Sequence, residues 1–263
     1  MLKRELKVNF KNFIIWLSIL IGLFLVVFLI YPSIVNSENI KMLDEMMSLF
    51  PKELLIAFNM DITTIDSCYG WLKTEGFVFV LLIIGCYSGI LGSNILLKEE
   101  NDKTIEYLNS LPITRNKIIF NKVIVGLIYI FLMVISLGIF NFIGLSISGD
   151  FDKLQYILLS ITPLFSSIPI YFTCMFLSTF TNKTKKIFGI SLGIVFISYV
   201  FQTLSSISSN VELLKYISFF TLADIRNVIT DISINPLIVI VSILISSLFL
   251  ILVVINYNKK ELL

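Results

Sequence analysis

The amino-acid sequence predicts an all-α integral membrane protein with six transmembrane helices. Three observations lead to this prediction. The mean hydropathy over 263 residues is +0.94, only 14% of the residues are charged, and the charges are missing from six long stretches. A soluble domain carries roughly 25% charged residues. Each charge-free stretch exceeds the ~20 residues that a helix needs to cross ~30 Å of hydrocarbon. The stretches are residues 12–37, 76–97, 123–149, 154–182, 187–211 and 232–258.

These stretches predict a single transmembrane domain over residues 1–263. Helices are expected because lipid requires the backbone groups of a spanning segment to be paired within the segment. Pro163 and Pro169 fall in the fourth stretch and are expected to kink or break it. The six spans are expected at about 13–31, 76–97, 119–143, 156–180, 187–206 and 236–257.

The basic residues predict the orientation of the chain. With the N-terminus in the cytoplasm, the inside segments hold fourteen of the twenty Lys and Arg residues, although these segments are short. This bias predicts that both termini are cytoplasmic. The first stretch has no small-residue cleavage site near its end, where Tyr31-Pro32-Ser33 stands, so we expect it to be retained as a helix.

Three segments outside the spans are amphipathic. Residues 1–11 predict an interfacial helix that carries Leu2, Leu6 and Phe10 on its apolar face, or else a simple topological anchor that precedes the first span. Outer amphipathic helices are expected in the first outer loop, over 40–50 and 52–58, and between the fifth and sixth spans, over 210–234. The first outer loop holds candidate cargo contacts at Met42, Met46 and Met47, because methionine adapts to varied apolar partners. The alternative is that its helices lie on the outer leaflet or pack on the bundle.

Residues with small side chains in the second span predict a close contact between two helices. Gly85 and Gly89 form a small-xxx-small pair, and Gly92 follows on the same span. Such a set is typical of helix packing within one chain or at a dimer interface.

The residue content excludes most catalytic chemistry. Histidine is absent, which removes most metal sites and histidine bases. The three cysteines indicate no disulfide framework. The chain has no phosphate-cradling glycine-rich loop and no aspartate-rich metal cluster. We therefore expect no enzymatic activity, no bound metal or cofactor, and no nucleic-acid partner.

The loop between the second and third spans, residues 98–122, is the most informative segment. It is polar and contains a predicted helix at about 102–111, on which Ile105, Leu108 and Leu111 share one face before Pro112 ends it. A short cytoplasmic helix with an apolar stripe and charged flanks is suited to dock into a partner. A solvated charged loop is the alternative.

The order of residues in this loop is distinctive. Two acidic residues close the second span, and the residues that follow at fixed spacing are Lys103-Thr104-Ile105-Glu106, Leu108, Leu111-Pro112-Ile113-Thr114-Arg115 and Lys122, after Glu99 and Glu100. In these residues the loop resembles that of the ABC-2 family of ATP-binding-cassette transporter permeases. Family members show the pattern E…GT-L-E…L…P-[VI]-[ST]-R…K, and Lys103 here stands where glycine is common. The resemblance implies that the loop is a coupling helix seated on a separate ATP-binding subunit, which binds ATP and Mg, and that two permease copies pair as a homo- or heterodimer. The residues implied in contact with that subunit are Thr104, Ile105, Glu106, Leu108, Leu111 and Arg115, with Pro112 at the end of the helix and Glu99, Glu100 and Lys122 as local charge partners.

The expected function is that of a permease subunit in a bacterial cell membrane, exporting amphipathic or hydrophobic cargo such as toxin or antimicrobial peptides. Spans without charges disfavour a dedicated path for ions or protons. Three alternatives remain: a secondary carrier or channel without an ATPase, an intramembrane enzyme, and a non-transporting immunity or sensor subunit of the same fold.

Overall fold

The protein is helical throughout the part of the chain that the structure describes. This computed structural model describes residues 2–34, 45–46, 48–51, 54–55, 67–101, 114–181 and 183–260, and these contain no strand. Its α-helices are α1 (Leu2–Ile34), α2 (Cys68–Trp71), α3 (Phe77–Asn101), α4 (Arg115–Ser148), α5 (Lys153–Ile161), α6 (Pro163–Ser178), α7 (Thr184–Ile207), α8 (Arg226–Asp231) and α9 (Pro236–Lys259).

Six helical segments of the described chain are long and apolar enough to cross a membrane, which confirms the predicted number of spans. Each observed segment overlaps one expected span. Several segments are longer than the expected span, because the helix continues into the polar residues at its ends. In the second, a π-helical turn at Leu72–Gly76 joins α2 to α3. The six are Leu2–Tyr31, Cys68–Glu100, Arg115–Ser148, Lys153–Ser178, Thr184–Ile207 and Pro236–Lys259.

The N-terminal segment is not a separate helix. Residues 2–11 continue without a break into the first span as α1. The side of α1 that is buried also differs from the predicted apolar face, because Phe10 is exposed whereas Glu5 and Asn9 are buried. The buried side therefore runs through Glu5, Asn9 and Phe13, at the three- to four-residue spacing of one helix face.

Proline divides the fourth span. The helix α5 ends at Ile161 and α6 begins at Pro163, which has no N–H group to continue the hydrogen-bond ladder. The connecting Thr162 keeps a right-handed helical backbone, so the two helices follow one another closely. Pro169 lies inside α6 without ending it.

The helix α3 lies at the centre of the bundle, where it packs along α6 and α7, while α9 packs on α6 and α1 packs on α4. Its glycines make the closest contacts. A Cβ atom at Gly92 would lie 2.2 Å from the backbone oxygen of Tyr171, and Gly85 lies against Phe220. Gly85, Gly89 and Gly92 are all buried within this chain, so they serve helix packing and do not form a surface that a second copy can reach.

The connection between α7 and α9 contains three short helical segments. Two are 3₁₀ helices, Ser209–Tyr216 and Phe219–Ala223, and the third is α8. Phe220 and Ala223 are buried against the bundle. In the first outer loop, Met46 is exposed, whereas Met42 and Met47 lie outside the described residues.

Long-range contacts place both termini at one end of the bundle. Near the N-terminus, Glu5 is paired with Lys122, and near the C-terminus, Lys260 is paired with Glu100. The same end carries Asn101 and Thr114, which border residues 102–113. We call it the loop end, predicted to be cytoplasmic, and we call the opposite end the outer end.

Candidate functional site

The candidate site consists of the residues that flank the segment 102–113 at the loop end. Most of the residues implied in docking lie outside the described residues, namely Thr104, Ile105, Glu106, Leu108, Leu111 and Pro112. The flanking residues are described. Glu99 and Glu100 lie on the last turn of α3, and Arg115 and Lys122 lie on the first two turns of α4.

Lys122 is at the centre of a buried charge cluster. Its side chain is completely buried, and its Nζ lies 2.6 Å from Oε2 of Glu99 and 3.6 Å from Oε2 of Glu5. It also donates a hydrogen bond to the backbone oxygen of Ile95. We refer to Glu5, Glu99 and Lys122 as the buried triad. It joins α1, α3 and α4.

Neighbouring polar groups hold the backbone around the buried triad. The Tyr171 hydroxyl donates to the backbone oxygen of Lys122 at 3.3 Å, which adds α6 to the arrangement. On α1, the Asn9 amide donates to the backbone oxygen of Glu5 at 2.9 Å, and the Tyr129 hydroxyl of α4 donates to the backbone oxygen of Leu6. Four helices are therefore fixed relative to one another at this point.

The cost of burying charged groups means that the buried triad constrains the relative positions of α1, α3 and α4. Removing two carboxylates and an ammonium from water costs several kcal/mol per ion, which the attraction between them offsets only in good geometry. Lys122 supplies its donors to Glu99 and Ile95, and both carboxylates face the same ammonium. Separating the three helices would leave buried charges without partners, so the triad holds them together.

A second set of contacts ties the C-terminus to the loop end. Nζ of Lys260 lies 2.8 Å from Oε1 of Glu100 and donates to the backbone oxygen of Thr181 at 3.2 Å. The Arg115 guanidinium donates to the backbone oxygens of Asn258 and Lys260 at 3.0 and 2.9 Å. Arg115 thus caps the C-terminal end of α9, where the last carbonyls of a helix have no partner in the helix.

Together these contacts join both ends of the segment 102–113 to each other and to the chain termini. Glu99 and Glu100 precede the segment, and Arg115 and Lys122 follow it. Each of the four has a partner on another helix or, for Glu100, at Lys260 directly after α9. A force applied to 102–113 would therefore be transmitted directly to α1, α3, α4 and α9. The arrangement supports mechanical transmission.

The sequence predicted part of this cluster. It suggested Glu99, Glu100 and Lys122 as charge partners, and the structure pairs Glu99 with Lys122 and Glu100 with Lys260. Arg115, which the resemblance implies in contact with the ATP-binding subunit, donates hydrogen bonds to the backbone at the C-terminal end of α9. The expectation of spans without charges is wrong for Lys122, which lies within the predicted span 119–143 and is completely buried. It is tolerated there because it is paired near the end of the helix.

Sequence reasoning missed Glu5 and Lys260. A signal for Glu5 was present: Glu5, Asn9 and Phe13 share one helix face, so a carboxylate stood in line with residues of the first span that face inward. No comparable signal marks Lys260, since a basic residue at the cytoplasmic end of a span is expected from topology alone.

Comparison with known proteins identifies the family. The model of the ABC-2 family transporter proteins matches residues 1–262. The chain belongs to the ABC-2 transporter family. No curated protein and no solved structure is detectably similar to the chain. The resemblance found in the loop 98–122 is thereby confirmed at the level of the family, across nearly the whole chain.

Membership of the ABC-2 family and the six apolar helices make this chain a multi-pass membrane protein of the transporter class. Permeases of this family generally work with an ATP-binding subunit.

Proposed function

We propose that this chain is the permease subunit of an ABC exporter, driven by a separate ATP-binding subunit that docks on residues 102–111. The observation that carries this proposal is the attachment of both ends of the loop to four helices through the buried triad and the contacts of Glu100 and Arg115. A loop mounted in this way transmits motion, whereas a free charged loop does not. ATP and Mg would be bound, and ATP hydrolysed, by the partner subunit.

The proposed cargo is amphipathic or hydrophobic, such as a toxin or antimicrobial peptide, moved out of a bacterial cell across the cell membrane. The charges of the six apolar segments lie near the helix ends, which supports a path for apolar rather than ionic cargo. Pairing of two permease copies is part of the proposal. Because the glycines of α3 are buried within the chain, we propose that its interface lies on other residues.

The docking role is tested by purifying the protein gently from its native membrane and measuring bound protein and ATP hydrolysis. We expect a stoichiometric ATP-binding subunit that is lost with Leu108→Asp, because the substitution places a charge on the apolar stripe of the predicted helix. Leu213→Asp is the matched control. It makes the same change at an exposed position of the outer end and is expected to leave the complex intact. A protein that purifies alone and without ATPase activity would support a secondary carrier or channel.

The transport role is tested with both subunits reconstituted in vesicles. We expect ATP-dependent movement of an amphipathic peptide, abolished by Glu106→Lys or Leu108→Asp while insertion is unchanged. Unchanged transport by both variants would refute docking through this loop. Movement of small ions with no effect of peptides would refute the cargo class. ATPase activity that responds to peptides without moving them would indicate an immunity or sensor subunit.

A further inference from the structure

A large cleft opens at the outer end of the bundle, between the beginning of α3, the end of α7 and the short helices that follow α7. Its volume is about 540 Å³. Sites for small ligands occupy ~300–1,000 Å³, so the cleft matches a single small amphiphile and is too small for a folded peptide. It lies away from the loop end, and the coupling contacts described above do not use it.

The walls of the cleft divide into an apolar floor and a charged rim. The floor is formed by Phe77, Leu81 and Phe220, which belong to the membrane-spanning helix α3 and to the buried 3₁₀ helix. The rim carries Glu212, Lys215, Asp224 and Arg226. Apolar and charged surfaces thus meet in one cavity at the level where the apolar spans end.

The rim contains equal numbers of positive and negative groups. Lys215 is paired with Glu212, and Arg226 is paired with Asp224 through its Nε at 2.7 Å. The hydrogen bond from Lys215 lowers the pKa of Glu212, and the hydrogen bond to Asp224 raises the pKa of Arg226, and each shift favours the charged form of the group concerned. The Arg226 side chain is 80% exposed and remains accessible to a ligand.

A neutral polar group completes the cavity wall. Gln202 lines the cleft, and its Oε1 accepts a hydrogen bond from the Thr221 hydroxyl at 2.6 Å. Its amide nitrogen therefore remains a donor next to the rim. Ser205 and Ser206 also line the cleft, and because their hydroxyls donate to backbone oxygens of α7, their own oxygens remain acceptors.

We propose that this cleft binds a zwitterionic single-chain amphiphile, with its hydrocarbon tail on the floor of Phe77, Leu81 and Phe220 and its head group on the rim. The charge pattern selects this class. An anionic or a cationic head group would meet one like charge for every opposite charge, whereas a zwitterion pairs with both signs. Nε and Nη2 of Arg226 donate to Asp224. A phosphate suits the other side of the planar guanidinium, where Nη1 and the second hydrogen of Nη2 can donate two parallel hydrogen bonds. A quaternary ammonium suits Glu212 and Asp224.

The binding itself is independent of the proposed ATP-driven transport. A role of the cleft as the outer site from which an amphiphilic cargo of this class leaves rests on the proposed export function.

The test uses the full chain in phosphatidylglycerol nanodiscs, without ATP and without a partner subunit. Three photoreactive probes share one diazirine-bearing alkyl tail and differ in their head groups, which are phosphocholine, trimethylammonium and sulfate. Labelling of residues 77–81 and 199–226 is mapped by mass spectrometry and normalised to labelling of the exposed side of α1. We expect the phosphocholine probe to label the cleft about tenfold more than either singly charged probe, as loss of one ~1.4 kcal/mol contact predicts.

Variants link the labelling to the rim. The double substitution Asp224→Asn, Arg226→Gln should reduce cleft labelling by the phosphocholine probe by about tenfold. Asp150→Asn, Lys153→Gln removes one charge of each sign from exposed positions outside the cleft and should leave labelling unchanged. If the first double variant does not elute as a folded protein, Glu212→Gln, Lys215→Gln tests the other pair in the same way.

Equal normalised labelling by the three probes would overturn the proposal, since the cleft would then hold membrane lipid without selection. Unchanged labelling in both rim variants would overturn it as well. Selective labelling of the cleft by the phosphocholine probe, combined with the absence of ATP-dependent transport, would refute only the proposed function. Transport without selective labelling would remove only this site.

Discussion

The two ends of the bundle are held together by different kinds of polar contact. At the loop end, the contacts are ionic, buried and formed between helices far apart in the sequence, as in the pairs of Lys122 with Glu5 and Glu99. At the outer end, the described ion pairs are local and exposed, as in Asp224 with Arg226. The two ends therefore respond differently to the loss of a charge.

The long-range polar contacts that we find at the outer end are neutral. The Tyr69 hydroxyl donates to Oε1 of Gln155 at 2.8 Å, and the Gln155 amide donates to the backbone oxygen of Ile229 at 3.0 Å. The Tyr31 hydroxyl donates to the backbone oxygen of Ser67 at 2.8 Å. Removing one partner of a buried neutral hydrogen bond costs about 1–3 kcal/mol, whereas removing one partner of a buried ion pair costs about 3–5 kcal/mol. The relative positions of the helices therefore depend more strongly on polar contacts at the loop end than at the outer end. Such an arrangement suits a place where force is applied.

The largest effect is expected from Lys122→Met. The substitution leaves the carboxylates of Glu99 and Glu5 buried without their cation, and we expect a loss of about 3–5 kcal/mol in the free energy of unfolding, measured by denaturation in detergent. Lys117→Met, at an exposed position on the same helix, is the control and should have little effect. Adding Glu5→Gln and Glu99→Gln to Lys122→Met should recover part of the loss. Equal free energies of unfolding for Lys122→Met and Lys117→Met would contradict the view that buried ion pairs stabilise the loop end.

A smaller effect is expected from Glu100→Gln. The pair with Lys260 is mostly buried, with side-chain exposures of 5% and 10%, so solvent screens it little. Loss of a hydrogen bond between charged groups predicts a destabilisation of about 1.5–3 kcal/mol. Glu45→Gln, at an exposed glutamate, should be neutral. If Glu100→Gln is neutral as well, the C-terminus does not take part in stabilising the loop end.

Gly92→Ala tests the packing beside the buried triad. The added Cβ would lie 2.2 Å from the backbone oxygen of Tyr171, the residue whose hydroxyl donates to Lys122, so α3 and α6 must move apart. Overpacking of this kind costs about 1–3 kcal/mol. Gly89→Ala is a sharp control on the same helix, because its Cβ would meet the nearest atom at an ordinary 3.5 Å. A thermal unfolding series that ranks Gly89→Ala as the worse variant would contradict the observed packing.

The smallest effect is expected from Asp224→Asn at the outer end. Arg226 is 80% exposed, and exposed ion pairs contribute less than about 1 kcal/mol. The free energy of unfolding should therefore change little, and the change should diminish further as salt is added. A loss as large as that of Lys122→Met would mean that the outer end depends on its charges as much as the loop end does.

Sequence reasoning succeeded where the signal is local. The number of spans follows from six charge-free stretches, and the family follows from closely spaced residues between Glu99 and Lys122. It left two interpretations of residues 1–11 open, a short interfacial helix and a topological anchor that precedes the first span. Nothing in that segment breaks a helix, so it continues into the first span, and the contact with Lys122 then turns Glu5 inward.

The six membrane helices could be predicted without a structure, because the absence of charge over ~20 residues is sufficient to place a helix in lipid. Three features became visible with the fold: Glu5, Glu99 and Lys122 meet, Gly92 lies against Tyr171, and a charged rim and an apolar floor share one cleft. They could not be predicted because each of these contacts joins residues distant in sequence. Their side chains take on a role only when helix packing removes them from solvent and brings them together.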